Sequence, residues 1–137
     1  MELYGLYDAN GRVHCDTVCL GCSASGDDQS VYKGNTPTGI YTGYLGKIQA
    51  DTQAYGPYKV IMMNGIAGNI YNYRNTRSSI WIHGGRSQEV LQPTNGCVRV
   101  FNNYQEELQN DITALDTVNG HEGTGYIYIS DPDQSYT

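Results

Sequence analysis

The sequence has few charges and no long apolar run. Only 16% of its 137 residues are charged, and the formal net charge is −6. This acidic balance argues against a general nucleic-acid binder, because such proteins concentrate Lys and Arg to displace counterions from phosphates. A membrane-spanning helix needs about 20 consecutive apolar residues, and no stretch of the chain comes near that length. We therefore expect no nucleic-acid partner and no membrane span.

The first residues also lack the features of a secretory signal. They begin Met1-Glu2-Leu3-Tyr4, with no basic segment followed by an apolar one. We expect either that a leader was removed from the sequence or that the protein is delivered without a signal.

Long runs of strong helix formers are rare, whereas Gly (17) and Tyr (13) are abundant. This composition favours strands and turns. The sequence predicts one all-β domain over 1–130 and a loose tail at 131–137. Asn10-Gly11 suits a hairpin turn, because both positions accept positive φ. Further elements follow from periodicity, with strands at 40–42, 58–63, 69–73, 79–82 and 126–129 and a single helix at 103–115. Asn64-Gly65-Ile66-Ala67-Gly68, which separates the strands at 58–63 and 69–73, suggests a second hairpin.

Three of the four cysteines crowd together at Cys15, Cys19 and Cys22. Their spacing is that of radical-SAM cluster ligands, but the chain is too short for the barrel that such enzymes need. A zinc site with His14 or a local disulfide stays open, and packing on one face of a strand is the interpretation we favour. We expect no metal and no cofactor, and a free thiol at Cys97.

A possible nucleophile and base are His83, at the end of a predicted strand, and Cys97, 14 positions later. Acyl transfer by cysteine needs a thiolate, a nearby imidazole and donors for the oxyanion. The glycines between the two residues allow the chain to turn back, and the N–H groups around Asn95, Gly96 and Cys97 are candidate oxyanion donors. Spacing alone leaves a cysteine buried for packing as the alternative. Arg99 is the one basic residue that we separate from the solvated surface, because it lies two positions after Cys97.

The surrounding motifs strengthen the catalytic interpretation. Ile82-His83-Gly84-Gly85 and Thr94-Asn95-Gly96-Cys97-Val98-Arg99 resemble the signature of the L,D-transpeptidase (YkuD) family. In that signature a His-Gly element precedes Ser/Thr-His-Gly-Cys-hydrophobic-Arg. Asn35 to Tyr41 is similar to the family's Thr-Pro-x-Gly-aromatic stretch, and Gly123-Thr124 is similar to the start of its closing strand.

The resemblance implies a β-sandwich with one short α-helix and a catalytic set of Cys97, His83 and the main-chain carbonyl of Gly84, which orients the imidazole. It further implies residues that bind substrate or support the catalytic loop, namely Arg99, Asn95, Gly96, Thr94 and Trp81. One departure is that Asn95 stands where the family has a histidine. Since an amide does not titrate near neutral pH, all base duty falls on His83. The connection between His83 and Cys97 also looks shorter than in typical members. Together with Asn95, this short connection makes the sequence resemble outlying members of the family, such as type VI secretion effectors and phage proteins.

The implied activity is acyl transfer on the tetrapeptide stems of peptidoglycan. The thiolate would attack the carbonyl of the third residue, and the fourth, a D-residue, would leave. An amine acceptor gives a crosslink or an exchange, and water gives L,D-carboxypeptidase activity.

We expect a monomer in the cell envelope, or a secreted or delivered antibacterial effector. The alternative is a catalytically inactive peptidoglycan-binding module of the same fold. We attribute most of the tyrosines to the high strand propensity of this residue, with Tyr41, Tyr44 and Trp81 as the exceptions that we expect to stack on glycan.

Overall fold

The computed structural model describes residues 2–7, 17–18, 28–89, 91–92, 94–119 and 126–130. Its strands are β1 (Glu2–Tyr7), β2 (Thr17–Val18), β3 (Gly39–Ile48), β4 (Lys59–Ala67), β5 (Ile80–His83), β6 (Val98–Arg99) and β7 (Tyr126–Ser130). Its helices are α1 (Thr52–Tyr55), α2 (Asn69–Asn72) and α3 (Asn102–Asn119). Several predictions concern residues outside the described ranges: the Asn10-Gly11 turn, His14, the cluster Cys15, Cys19 and Cys22, the Gly123-Thr124 motif and the tail at 131–137.

The described strands form one sheet in the order β2-β1-β7-β3-β4-β5-β6. Every neighbouring pair is antiparallel except β5 and β6, which are parallel. In that pair Ile82 lies beside Val98 and His83 lies beside Arg99. Parallel neighbours need a crossover connection, and here the chain between β5 and β6 supplies it.

Helix α3 covers one face of the sheet and contacts β3, β4 and β5. Its residues Leu108 and Ile112 are fully buried in a core that also contains Ile61, Ile82 and Val98. Ile82 and Val98 point into this core, so strand alternation turns their neighbours His83 and Arg99 to the other face. The core therefore fixes which face carries the candidate site.

The structure corrects the hairpin predicted for 58–63 and 69–73. Strand β4 continues through Asn64 and Gly65 to Ala67, because β3 is long enough to pair with it as far as Ile40. Residues 69–72 are helix α2 instead of a strand. The chain turns at Gly68, whose φ of 83° favours glycine, and Ile70 then packs into the core.

The predicted helix at 103–115 is confirmed and extends over Asn102–Asn119. The expectation of one short helix was too simple, since α1 and α2 add two single turns. The mainly β class is confirmed, with most elements being strands. In the part of the chain that is described, no helix is both long and apolar enough to cross a membrane.

Candidate active site

His83 ends β5 and is only 3% exposed. Its Nδ1 lies 2.8 Å from the carbonyl oxygen of Gly84. A carbonyl oxygen can only accept, so Nδ1 carries the proton of the neutral ring and Nε2 keeps the lone pair. The ring of Tyr55 meets the imidazole edge-on, with 5.0 Å between ring centroids. Tautomer and ring orientation are thereby both fixed.

Burial sets the charge of this imidazole. It lowers the pKa of His83 to about 4, and the charge of Arg99 acts in the same direction. The hydrogen bond to Gly84 opposes the shift in pKa but does not cancel it. At neutral pH the side chain is therefore a neutral base.

Cys97 immediately precedes β6 and is a partly exposed free thiol. Burial raises the pKa of this thiol. A backbone hydrogen bond from Trp81 and the charges of Arg77 and Arg99 lower the same pKa in part. The resting pair is consequently a neutral thiol and a neutral imidazole.

The thiol and the imidazole open onto the same cavity, which has a volume of about 200 Å³ and is also lined by Tyr55, Arg86 and Arg99. The register of β5 and β6 explains the arrangement. Because His83 pairs with Arg99, Cys97 falls opposite Trp81 on the same face of the sheet. One bound molecule can therefore meet both groups.

The turn before Cys97 is held by two threonines. The Thr94 hydroxyl donates to the carbonyl of Cys97 at 2.6 Å and accepts from the Gly96 N–H at 3.1 Å. The Thr36 hydroxyl donates to the carbonyl of Gly96 at 2.8 Å. The Gly96 N–H is thus already engaged, which leaves the N–H groups of Asn95 and Cys97 as candidate oxyanion donors.

Arg99 is buried and contacts main-chain carbonyls. Its Nε donates to Gly84 at 3.4 Å, its Nη1 to Gln92 at 2.8 Å and its Nη2 to Ala54 at 3.2 Å. The carbonyl of Gly84 accordingly accepts from both His83 and Arg99. These contacts suit the loop-supporting role better than direct binding of a substrate carboxylate.

The aromatic expectations have mixed outcomes. Tyr41 is fully buried and its hydroxyl donates to the carbonyl of Pro37, so the expectation that it stacks on glycan is wrong. Burial also raises the pKa of Tyr41. Tyr44 is 40% exposed on β3. Trp81 is half-buried, with its ring centroid 6.1 Å from that of Tyr55, and it does not line the cavity that His83 and Cys97 share.

Sequence reasoning missed two groups at the site. Tyr55 lies on the single-turn helix α1, whose start was signalled only by Asp51, a capping residue that accepts from the Ala54 N–H. The sequence predicts that Arg77 is a solvated surface charge, but the residue is 5% exposed and lies beside Gly96. Nothing in the polar sequence around Arg77 signals its burial.

Comparison with known proteins identifies the family of the chain. The model of the L,D-transpeptidase catalytic domain, YkuD, matches residues 2–125. No curated protein matches the chain. Among solved structures the chain is similar to Bd1075 of Bdellovibrio bacteriovorus, with 25% identity over 74% of this chain and a TM-score of 0.50. It spans 36% of the length of that protein. With nearly its whole length matched by the family model, the chain belongs to the YkuD family of L,D-transpeptidase catalytic domains.

Proposed function

We propose that the protein is a cysteine enzyme that transfers the acyl group of peptidoglycan stem peptides, with Cys97 as nucleophile and His83 as base and acid. The observation that carries the proposal is the shared cavity onto which both side chains open. The family match supports peptidoglycan as the substrate class. The finer architecture that we propose with it is the β-sandwich of the family.

The chemistry starts from the neutral pair. As Sγ of Cys97 attacks the carbonyl carbon of the third stem residue, Nε2 of His83 takes the thiol proton. The Gly84 carbonyl accepts from Nδ1 and stabilises the imidazolium that forms. The N–H groups of Asn95 and Cys97 would stabilise the oxyanion.

The intermediate then collapses to a thioester. The bond to the fourth residue breaks, and its amine leaves with the proton from Nε2. An acceptor amine or water next attacks the thioester and gives a proton to Nε2 of His83. The sulfur leaves as a thiolate and takes that proton back, which restores the neutral pair. Transpeptidation and L,D-carboxypeptidase activity therefore share the first half of the reaction and differ only in the acceptor.

We place this activity at the cell envelope, or in the envelope of a target cell after delivery, and propose that the protein acts as a monomer. We propose that the reaction needs no cofactor, because His83 alone accepts and returns each proton.

Replacing Cys97 by Ala should abolish turnover of a purified tetrapeptide stem, followed by mass spectrometry of released D-amino acid and of crosslinked product. His83→Gln should lower the rate by about 10²- to 10⁴-fold, the usual contribution of a general base. The exposed Lys47→Ala variant on β3 is the control and should keep the wild-type rate. Turnover that survives in Cys97→Ala would contradict the assignment.

The second candidate, an inactive peptidoglycan-binding module, is favoured by one observation. Burial keeps the pKa of Cys97 above its ordinary value, so little thiolate exists at rest. Intact-mass analysis after exposure to a carbapenem separates the two candidates. Acylation at Cys97 supports the enzyme, whereas an unlabelled protein that still binds sacculi supports the module.

A further inference from the structure

A second cavity, of about 270 Å³, reaches Cys97 from the side of the 28–38 loop. Its lining includes Arg77, Asn95 and Gly96 and, among the described residues, does not include His83. The thiol therefore lies between two openings. Arg99 lines the first of them, and Arg77 lines the second.

Arg77 is buried and held by the loop that covers it. Its Nη1 donates to the carbonyls of Gln29 at 2.8 Å and Asn35 at 2.7 Å, and its Nη2 donates to that of Gly34 at 3.3 Å. Carbonyl oxygens satisfy the donors of a guanidinium but leave its charge intact. Because these bonds consume donors from both terminal nitrogens, Arg77 is poorly suited to gripping a substrate carboxylate and well suited to fixing a loop.

The guanidinium also packs against the turn that carries the nucleophile. Gly96 has φ 107°, and a Cβ there would lie 2.5 Å from Nη2 of Arg77. The Thr36 hydroxyl, from the same loop, binds the Gly96 carbonyl at 2.8 Å. The loop and the nucleophile turn are thus locked together, and Arg77 occupies the space that a side chain at position 96 would need.

The charge of Arg77 acts on the thiol itself. Burial lowers the pKa of Arg77, whereas Tyr41 and Cys97, the titratable groups that act on it, raise that pKa. In turn, Arg77 lowers the pKa of Cys97 against the effect of burial, ahead of Arg99. Asn95, which stands where the family signature has histidine, cannot supply a charge on this side.

We propose that Arg77 is a positioning residue, which fixes the Gly96–Cys97 turn and keeps a permanent positive charge beside the thiol on the side that His83 does not occupy. Its effect on turnover rests on the proposed function. Its effect on thiol reactivity does not, because that reactivity can be measured without substrate.

The test is the pH dependence of Cys97 alkylation by iodoacetamide in the full chain, read at this cysteine by peptide mapping. Arg77→Met should raise the midpoint by about one pH unit, the lower end of the effect of a neighbouring opposite charge. Arg77→Lys keeps the charge and should stay closer to wild type. Arg74→Met is the matched control, since Arg74 is exposed and packs on the ring of Tyr71, and it should leave the midpoint unchanged.

If stems are turned over, kcat should fall at least tenfold in Arg77→Met with KM little changed.

An alkylation midpoint in Arg77→Met equal to that of wild type would overturn the proposal, as would a midpoint in Arg77→Lys as high as in Arg77→Met. Arg77→Gln replaces Arg77→Met if the latter does not fold, as judged by near-UV circular dichroism. If neither neutral variant folds, Arg77 serves stability and the proposal fails. A shifted midpoint in a protein without any turnover would refute the proposed function while supporting this role of Arg77.

Discussion

The carbonyl of Gly84 is the residue-level feature on which the site depends. It accepts from Nδ1 of His83 at 2.8 Å and from Nε of Arg99 at 3.4 Å. A carbonyl can take two such bonds because it has two lone pairs. The same atom therefore selects the tautomer of His83, the proposed base, and ties this side chain to the strand that follows Cys97.

The lowered pKa of His83 predicts how activity depends on pH. Because the pKa is about 4, the imidazole stays neutral over most of the acid range. We expect the rate of Cys97 acylation to hold from pH 7 to 5 and to fall by half near pH 4, with folding verified at each pH by circular dichroism. His83→Gln is the control, and its slower acylation should show no such fall in rate near pH 4. A midpoint near 6.5, the ordinary value for histidine, would contradict the buried, neutral base.

The same shift has a consequence for stability. The folded state binds the His83 proton more weakly than the unfolded state does, because its pKa is lowered to about 4. Stability from this group is complete above pH 6.5 and is lost as the pH falls from 6.5 toward 4.

Among the elements, helix α1 has only four residues, but its main-chain carbonyls hold several parts of the candidate site. The carbonyl of Tyr55 accepts from the Gly84 N–H at 3.2 Å and from Nε2 of Gln105 at 2.8 Å. The carbonyl of Ala54 accepts from Arg99 at 3.2 Å. One turn of helix thus connects α3, the base and the strand after the nucleophile.

Asp51→Ala removes the side-chain acceptor of the Ala54 N–H and should lower the stability of this helical turn by about 1 kcal/mol. Because α1 buries no side chain, this cost affects local opening of the turn and not global unfolding. We therefore expect little change in the urea midpoint and a fall in kcat/KM of up to about fivefold. Asp51→Asn retains a capping oxygen and should behave as wild type. Equal rates in the Ala and Asn variants would show that the cap does not influence the site.

The elements also show what a sequence can predict. Helix α3 was found because Leu108 and Ile112 repeat at helical spacing over several turns. Helix α1 is too short to show a period. The Asn64-Gly65 pair suggested a turn, but the length of β3 decides that β4 continues, and pairing partners distant in sequence are not visible from local composition.

Over the whole molecule, the two chemical groups were easier to predict than their surroundings. His83 and Cys97 lie within motifs, and their shared cavity follows from the parallel pairing of β5 with β6. Arg77 gave no such signal, because its burial comes from the 28–38 loop, some forty positions earlier in the chain. Contacts of this kind depend on tertiary packing.

The stability of the whole domain should depend on the layer between α3 and the sheet. Leu108→Ala removes a fully buried side chain and should lower the free energy of unfolding by about 2 to 5 kcal/mol, measured by urea denaturation. The neighbouring exposed Glu107→Ala should change it by less than about 0.5 kcal/mol. A small loss in Leu108→Ala would mean that the helix is not part of the core.

The parallel pairing of β5 and β6 fixes the positions of the reacting side chains, whereas other residues border the entrance to the cavity. The spacing of His83 and Cys97 is set by main-chain ladder bonds such as the one from the Val100 N–H to the His83 carbonyl at 2.9 Å. The two ends of the crossover hold the base and the nucleophile turn, through the Gly84 carbonyl and the Thr94 hydroxyl, whereas segment 86–89 between them borders the cavity through Arg86. Altering the length of segment 86–89 would therefore reshape the entrance for the incoming peptide while the contacts that space sulfur and imidazole stay in place, which makes it the natural segment for grafting a new substrate preference.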